Sequence, residues 1–246
     1  MDWPFLKETF FELVAALPLT IQLATISTAI GLFFALGLAL CRTSSVLPVN
    51  WFARLYIYVF RGTPLLIQIF VIYYGLGQFE FVRNSALWVF LREPYWCAIL
   101  ALTLNTAAYG GEVLRGGLFS VPAGQIEAAR ACGMSKFTVF RRVILPLAVR
   151  QALPGYSNEL IAMVKSTSLV SLITLMEVTG VAARIISETY RLVEVFTIAG
   201  GIYLAIIFLL TRGVHLLEYL LSPHLRAPRS IASYRPGSQL INGDSK

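Results

Sequence analysis

The chain has 246 residues, of which 57% are hydrophobic and only 13% charged, with a net charge of +7. A soluble domain of this length needs far more charge on its surface. The basic residues also gather in alternate loops between apolar runs, as membrane topology demands, so no nucleic-acid partner is expected.

Spanning a bilayer takes about 20 consecutive apolar residues, and five stretches qualify. Residues 17–41 carry no charge at all. They have no basic segment before them and form too long an apolar run for a signal peptide, so they read as a retained anchor. Residues 1–16 are then a periplasmic N-terminal segment. The second stretch, 55–77, has Arg61 near its start, where it can snorkel to the interface. Thr63-Pro64 can break or start its helix. The third, 95–119, carries Glu112 and Arg115 toward its end. The fourth, 152–178, is the most polar and contains Asn158, Glu159 and Lys165. The last, 196–221, is apolar until Arg212, and residues 222–246 read as a mobile cytoplasmic tail rich in Pro, Gly and polar residues.

Residues 17–221 therefore form one transmembrane domain, without the internal repeat common in secondary transporters. Gly31, Gly37, Gly110, Gly111, Gly116, Gly117, Gly200 and Gly201 permit close helix approach. Cys41, Cys97 and Cys132 stand apart and suggest no disulfide or metal spacing. His215 and His224 are too sparse for a metal site.

Orientation follows from the loops. Arg42 and Arg54 lie in the first, Arg130, Lys136, Arg141, Arg142 and Arg150 in the third, and Arg226, Arg229, Arg235 and Lys246 in the tail. The second and fourth loops are balanced in charge. With five spans, every basic segment falls on one side, which puts the N-terminus in the periplasm and the C-terminus in the cytoplasm of a bacterial inner membrane.

The third loop, residues 119–150, is too structured to be a connector. Pro122 and Gly124 open it, residues 125–132 are rich in helix formers, and Gly133 suits a left-handed helix end. Ser135 can cap a second helix that runs to about 144, before Pro146 ends it. Phe137, Phe140, Val143 and Ile144 make that helix amphipathic. Resting on lipid headgroups, with Lys136, Arg141 and Arg142 on phosphates, would account for the second helix. It would not account for the compact first one, which suits insertion into a groove on a partner.

Glu127-Ala128-Ala129, then Gly133, Val143 and Leu145-Pro146 match in type and spacing the EAA signature of ABC-importer permeases. Val143 stands where that family usually has Ile. Further segments resemble its polar amino-acid branch: Phe60-Arg-Gly-Thr-Pro-Leu-Leu-Ile-Gln68, Leu104-Asn-Thr-Ala-Ala-Tyr-Gly-Gly-Glu112, Arg115-Gly-Gly117 and Lys165-Ser-Thr-Ser-Leu-Val-Ser171. The chain looks most similar to permeases for histidine, basic amino acids and opines such as octopine or nopaline.

The resemblance implies an all-α integral membrane fold, that of a five-helix, MetI-like type I ABC importer permease with cytoplasmic coupling helices. It implies as partners a pair of ATPase subunits, a second permease (a paralogue or another copy) and a periplasmic amino-acid-binding protein, all amid membrane lipids. Glu127 would pair with a basic residue of the ATPase, Ala128 and Ala129 would permit close approach, and Gly133 would set the turn. The residues agree with that division of labour. None of Lys7, Lys136, Lys165 and Lys246 follows the glycine of a phosphate-binding loop. This chain is expected to bind no cofactor and catalyse no reaction itself, with ATP and magnesium on the partner ATPase.

Ionisable residues inside spans usually face protein or a watery path. Asn105, Tyr109 and Glu112 share one face of the third span. On the fourth, Asn158 shares a face with Lys165, and Glu159 shares a neighbouring face with Ser166. These residues line the expected substrate path, where Lys165 with Ser166, Thr167 and Ser168 would meet an α-carboxylate and Glu112 or Glu159 would attract a cationic group. The alternative is structural: Glu112 pairs with Arg115, and Glu159 or Lys165 forms an interhelical ion pair. A permease for another amino acid such as glutamine, or a secondary transporter, would use the same intramembrane charges. The secondary transporter would need no EAA loop. No triad, metal cluster or carboxylate pair suggests an enzyme.

Overall fold

The computed structural model describes residues 2–221, and every regular element in that range is a helix. The tail assigned to residues 222–246 lies outside the described residues. Helix α1 (Trp3–Thr43) has Pro4 in its first turn and runs through Pro18 without ending. At about 1.5 Å per residue it is roughly 60 Å long, twice the hydrocarbon thickness. Residues 3–16 of the expected N-terminal segment are thus about the first four turns of the same helix.

The second span is broken. Helix α2 (Leu47–Gly62) and the helical run from Leu65 to Gln78, which starts as α3 (Leu65–Phe70), meet at 104°. Thr63 and Pro64 are extended at the break, because Pro64 cannot continue the hydrogen-bond ladder of α2. Two single turns, α4 (Glu80–Arg83) and α5 (Trp88–Leu91), lead into α6 (Pro94–Phe119).

Helix α7 (Ala123–Ala131) follows, and Gly133 turns the chain with φ of 78°. Ser135 then caps α8 (Lys136–Val139) by accepting the Thr138 N–H at 3.3 Å. Here the structure departs from expectation. Pro146 does not end this helix, which passes through a π turn at Phe140–Ile144 into α9 (Leu145–Ser166). In a regular helix the Pro146 ring would strike the carbonyl four residues back. The π turn bonds the Leu145 N–H to the Phe140 carbonyl and widens the helix at that point.

Helix α9 tightens into a 3₁₀ run (Thr167–Ile173) and stops at Thr174, which is left-handed with φ of 70°. The path then bends by 47° into α10 (Val178–Thr189), and α11 (Leu192–Leu221) completes the bundle. Three helices are each long and apolar enough to cross a membrane, and the two bent pairs bring the total to five.

Small residues set the packing of α6. A Cβ on Gly31 of α1 would stand 2.8 Å from the Thr106 side chain, and one on Gly110 would stand 3.2 Å from Ala35. These contacts run in step along both chains, so α1 and α6 lie parallel. Gly117 meets Ala148 and Ala152, and Gly155 meets Val113, so α9 returns antiparallel. One apolar core joins Leu23, Ile69, Cys97, Leu102, Met163 and Val170. A second joins Leu13 of α1 to Val178, Ala182 and Ile185 of α10 and Val195 of α11. Ion pairs Asp2–Arg191 and Glu12–Arg184 bring the start of α1 to the α10–α11 turn.

Candidate functional site: a knob and a cavity at a broken span

The α7–α8 knob projects from one end of the bundle. Glu127 and Ala128 are exposed, while Ala129 is buried toward the base. No neighbour lies within 4 Å of a Cβ built on Gly133, so that glycine answers a backbone need and not a lack of space. Phe137 is 71% exposed at the tip. Val143 is half-buried, and Leu145 and Pro146 are exposed along the widened turn. The seven signature residues thus spread from the outer face of the knob to the start of α9. Their exposed members form a continuous outer surface of the knob.

The bundle interior holds a cavity of about 520 Å³ at the break of the second span. Its walls are Arg61 to Leu65, Asn105 and Tyr109 of α6, and Glu159 and Ser166 of α9. Breaking a helix inside a membrane strands backbone carbonyls where water is absent. Gln68 is 7% exposed and answers this cost by donating to the Phe60 carbonyl (2.8 Å), the Thr63 carbonyl (3.0 Å) and Thr63 Oγ1 (2.9 Å). Gln68 Oε1 accepts from Asn105 Nδ2 at 3.1 Å. The Asn105 amide group is therefore spent on holding the break, and its carbonyl oxygen accepts no hydrogen bond among the described residues. In the sequence Gln68 stands out only as the end of the family-like segment Phe60–Gln68. Its signal is a lone amide in an apolar run, four residues after the Thr-Pro that frees the carbonyls.

Arg61 stacks its guanidinium 5.0 Å from the Tyr109 ring centroid. Arg61, Gly62 and Tyr109 also line a second cavity of about 420 Å³, whose other walls include Arg42, Arg54 and Glu112. The two cavities share one wall, which puts Arg61 and Glu159 in the first space and Arg61 and Glu112 in the next. Glu112 is bound on both sides: Oε1 lies 3.1 Å from Arg42 Nε and Oε2 lies 2.9 Å from an Arg115 terminal nitrogen. Glu159 has no ion pair within 4 Å among the described residues, and its carboxylate faces the larger cavity with Arg61 as the opposite charge.

The structure separates the remaining polar residues of α9. Ser166 lines the first cavity, but Lys165 and Ser168 line a cleft of about 340 Å³ on another side, with Thr179 and Tyr203. Thr167 is buried and donates to the Val164 carbonyl at 2.7 Å. Asn158 is exposed and lines neither space. Lys165 to Ser168 therefore do not converge on one point, because the helical turn sends consecutive side chains about 100° apart. Among the described residues no group of three or more His, Cys, Asp or Glu side chains gathers as metal ligands would.

Residues 27–223 match the family described as binding-protein-dependent transport system inner membrane component. The chain belongs to that family. It is 60% identical over 225 residues, 92% of each chain, to the octopine transport system permease protein OccM of Rhizobium meliloti. It is 54% identical over 228 residues to the nopaline transport system permease protein NocM of Agrobacterium fabrum strain C58, covering 92% of this chain and 95% of that one. Among solved structures, an amino acid ABC transporter with histidines superposes with a TM-score of 0.80 at 34% identity, over 89% of this chain and 99% of that chain. The fold is that of an integral-membrane importer permease.

Proposed function

We propose that this chain is the permease subunit of an ATP-driven importer for opines and basic amino acids, working with a second permease, an ATPase pair and a periplasmic binding protein. The observation that carries the reading is the pairing of Arg61 and Glu159 across one cavity of about 520 Å³. Octopine and nopaline are amino-acid derivatives bearing a guanidinium and more than one carboxylate. A cavity with one cation, one anion and the free Asn105 carbonyl oxygen offers a partner to each kind of group. The relatives named for octopine and nopaline support the substrate class.

In this reading the knob lies in the cytoplasm and the start of α1 lies outside, in keeping with the positive-inside rule. Glu127 and Ala128 present the docking surface to the ATPase, Gly133 sets its turn, and ATP with its magnesium stays on that partner. Substrate arriving from the periplasmic side meets Lys165 and Ser168 in the cleft and then Asn105, Glu159 and Ser166 in the cavity. Glu112 lies beyond, bound to Arg42 and Arg115, and frames the exit.

The test is uptake of labelled octopine, nopaline, arginine, histidine and glutamine by cells lacking this chain and by the same cells with it restored. Restored, ATP-dependent uptake of octopine, nopaline or arginine is expected. Restoration of glutamine uptake alone would sink the substrate class. ATP-independent uptake in vesicles would sink the coupling.

A further inference from the structure

Glu177 is 0% exposed. It sits in the bend between the 3₁₀ run Thr167–Ile173 and α10, where a span of regular helix would have no use for a carboxylate. Its Oε1 accepts the Gly180 N–H at 2.9 Å and so caps α10. Its Oε2 accepts from Tyr203 of α11 at 2.7 Å and from Thr20 of α1 at 3.4 Å. Thr20 Oγ1 in turn accepts the Val178 N–H at 3.3 Å. One carboxylate therefore ties three helices at the point where the fourth span changes direction. Space is tight here, since a Cβ on Gly180 would stand 2.1 Å from the Leu175 carbonyl oxygen.

The tie also reaches the Lys165 cleft. Tyr203 gives its proton to Glu177, which leaves its oxygen to accept from Thr179 Oγ1, 3.1 Å away. Tyr203 and Thr179 are wall residues of that cleft, together with Lys165 and Ser168. The wall facing Lys165 is thus held in place from behind by Glu177.

We infer that Glu177 is a positioning residue for substrate passage: through Tyr203 and Thr179 it fixes the shape of the cleft in which Lys165 receives a carboxylate. The inference rests on the reading that the Lys165 cleft belongs to the substrate path. Loss of the tie frees the Tyr203 ring and lets α10 pivot at Thr174 to Glu177. The cleft then fits a carboxylate-bearing substrate poorly, although the rest of the bundle stays packed. A glutamine at 177 keeps an oxygen for the Gly180 N–H and a polar hydrogen for Tyr203, whose hydroxyl can turn its proton toward Thr179.

The experiment measures labelled octopine uptake by the whole transporter in cells, normalised to the amount of assembled complex. Glu177→Ala and Tyr203→Phe are expected to raise the half-saturating octopine concentration about tenfold with maximal rate per complex within about twofold. Glu177→Gln is expected to stay within about twofold of the native value. Native half-saturation in Tyr203→Phe, which keeps the ring and loses only the hydroxyl, overturns the inference. So does a loss of complex in Glu177→Ala with half-saturation unchanged, which marks a purely structural role. Lys165→Ala in the same assay separates the two levels. Unchanged half-saturation there removes the cleft from the path. A raised value there, with native behaviour in the other variants, overturns the positioning role alone.

Discussion

Gly117 of α6 lies so close to Ala148 of α9 that a Cβ added to it would stand 2.6 Å from the Ala148 carbonyl oxygen. These two residues flank the knob in sequence, so their contact closes its base. A methyl group there forces the helices apart, at a cost of about 1–3 kcal/mol. Gly117→Ala is expected to lower the thermal stability of the purified complex and weaken ATPase stimulation by the binding protein. Gly116→Ala, whose Cβ meets nothing within 4 Å, is the control and should leave both unchanged.

Glu112 holds Arg42 and Arg115 together, with side chains only 16–29% exposed. Replacing it by Ala leaves two guanidinium groups without their acid and is expected to destabilise the chain by about 2–3 kcal/mol. Thermal unfolding in detergent checks the size, and a double-mutant cycle with Arg42→Ala checks the coupling. A change in half-saturating substrate concentration with stability unchanged would instead put Glu112 in contact with substrate.

Gly133 has a φ of 78°, so a side chain there is strained by about 1 kcal/mol even in open space. Gly133→Ala is expected to leave the transmembrane helices folded and to reduce transport-coupled ATP hydrolysis severalfold. Gly133→Asn should retain more activity, because Asn tolerates the left-handed region. Equal activity in all three would remove the turn from the coupling surface.

Arg61 and Glu159 face one cavity with opposite charges. Glu159→Gln is expected to raise the half-saturating concentration of arginine and octopine about tenfold, an exchange of about 1.4 kcal/mol. Arg61→Gln should penalise octopine more than arginine, since octopine carries the additional carboxylate. Competition uptake with both labelled substrates reads the ratio, and an unchanged ratio in Arg61→Gln would break the assignment.

Cys132 is exposed on the knob, whereas Cys97 is buried in the core. A membrane-impermeant maleimide is expected to label Cys132 in inside-out vesicles carrying this chain without its ATPase. Right-side-out vesicles should remain unlabelled at that residue. The reverse pattern would invert the proposed orientation.

The knob was readable in the sequence because its cues are local. A left-handed Gly133, a capping Ser135 and helix formers between residues 125 and 132 act through their own backbone. Pro146 misled for the same reason: alone it reads as a helix stop, and only the π turn at Phe140–Ile144 just upstream lets the chain continue. The break in the second span was written in Thr63-Pro64, but not its 104° angle. That angle depends on Gln68 and Asn105, which meet across two elements to satisfy the stranded carbonyls.

Periodicity put Glu159 with Ser166 and Asn158 with Lys165 on two neighbouring faces of one helix, since faces follow from 3.6 residues per turn. It did not decide what each face meets. Lys165 and Ser168 open onto one space, Glu159 and Ser166 onto another, and Asn158 onto neither. Glu177 could be read as a polar residue in an apolar span, with Gly180 three residues on as a helix-start cue. Its partners Thr20 and Tyr203 lie 157 and 26 residues away along the chain.

What the sequence alone determined is therefore the membrane class, the five apolar stretches, the gathering of basic residues in alternate loops and the two-helix knob turned at Gly133. Each depends on composition or on spacing within a few turns. The tertiary structure alone decided the 104° angle at the break of the second span and the 47° bend of the fourth, that Arg42 joins Arg115 on Glu112, and that the knob rises from a base closed by Gly117 against Ala148. Those outcomes turn on which distant side chain reaches a stranded polar group or a gap too narrow for a methyl. Such reach is settled only when the helices pack.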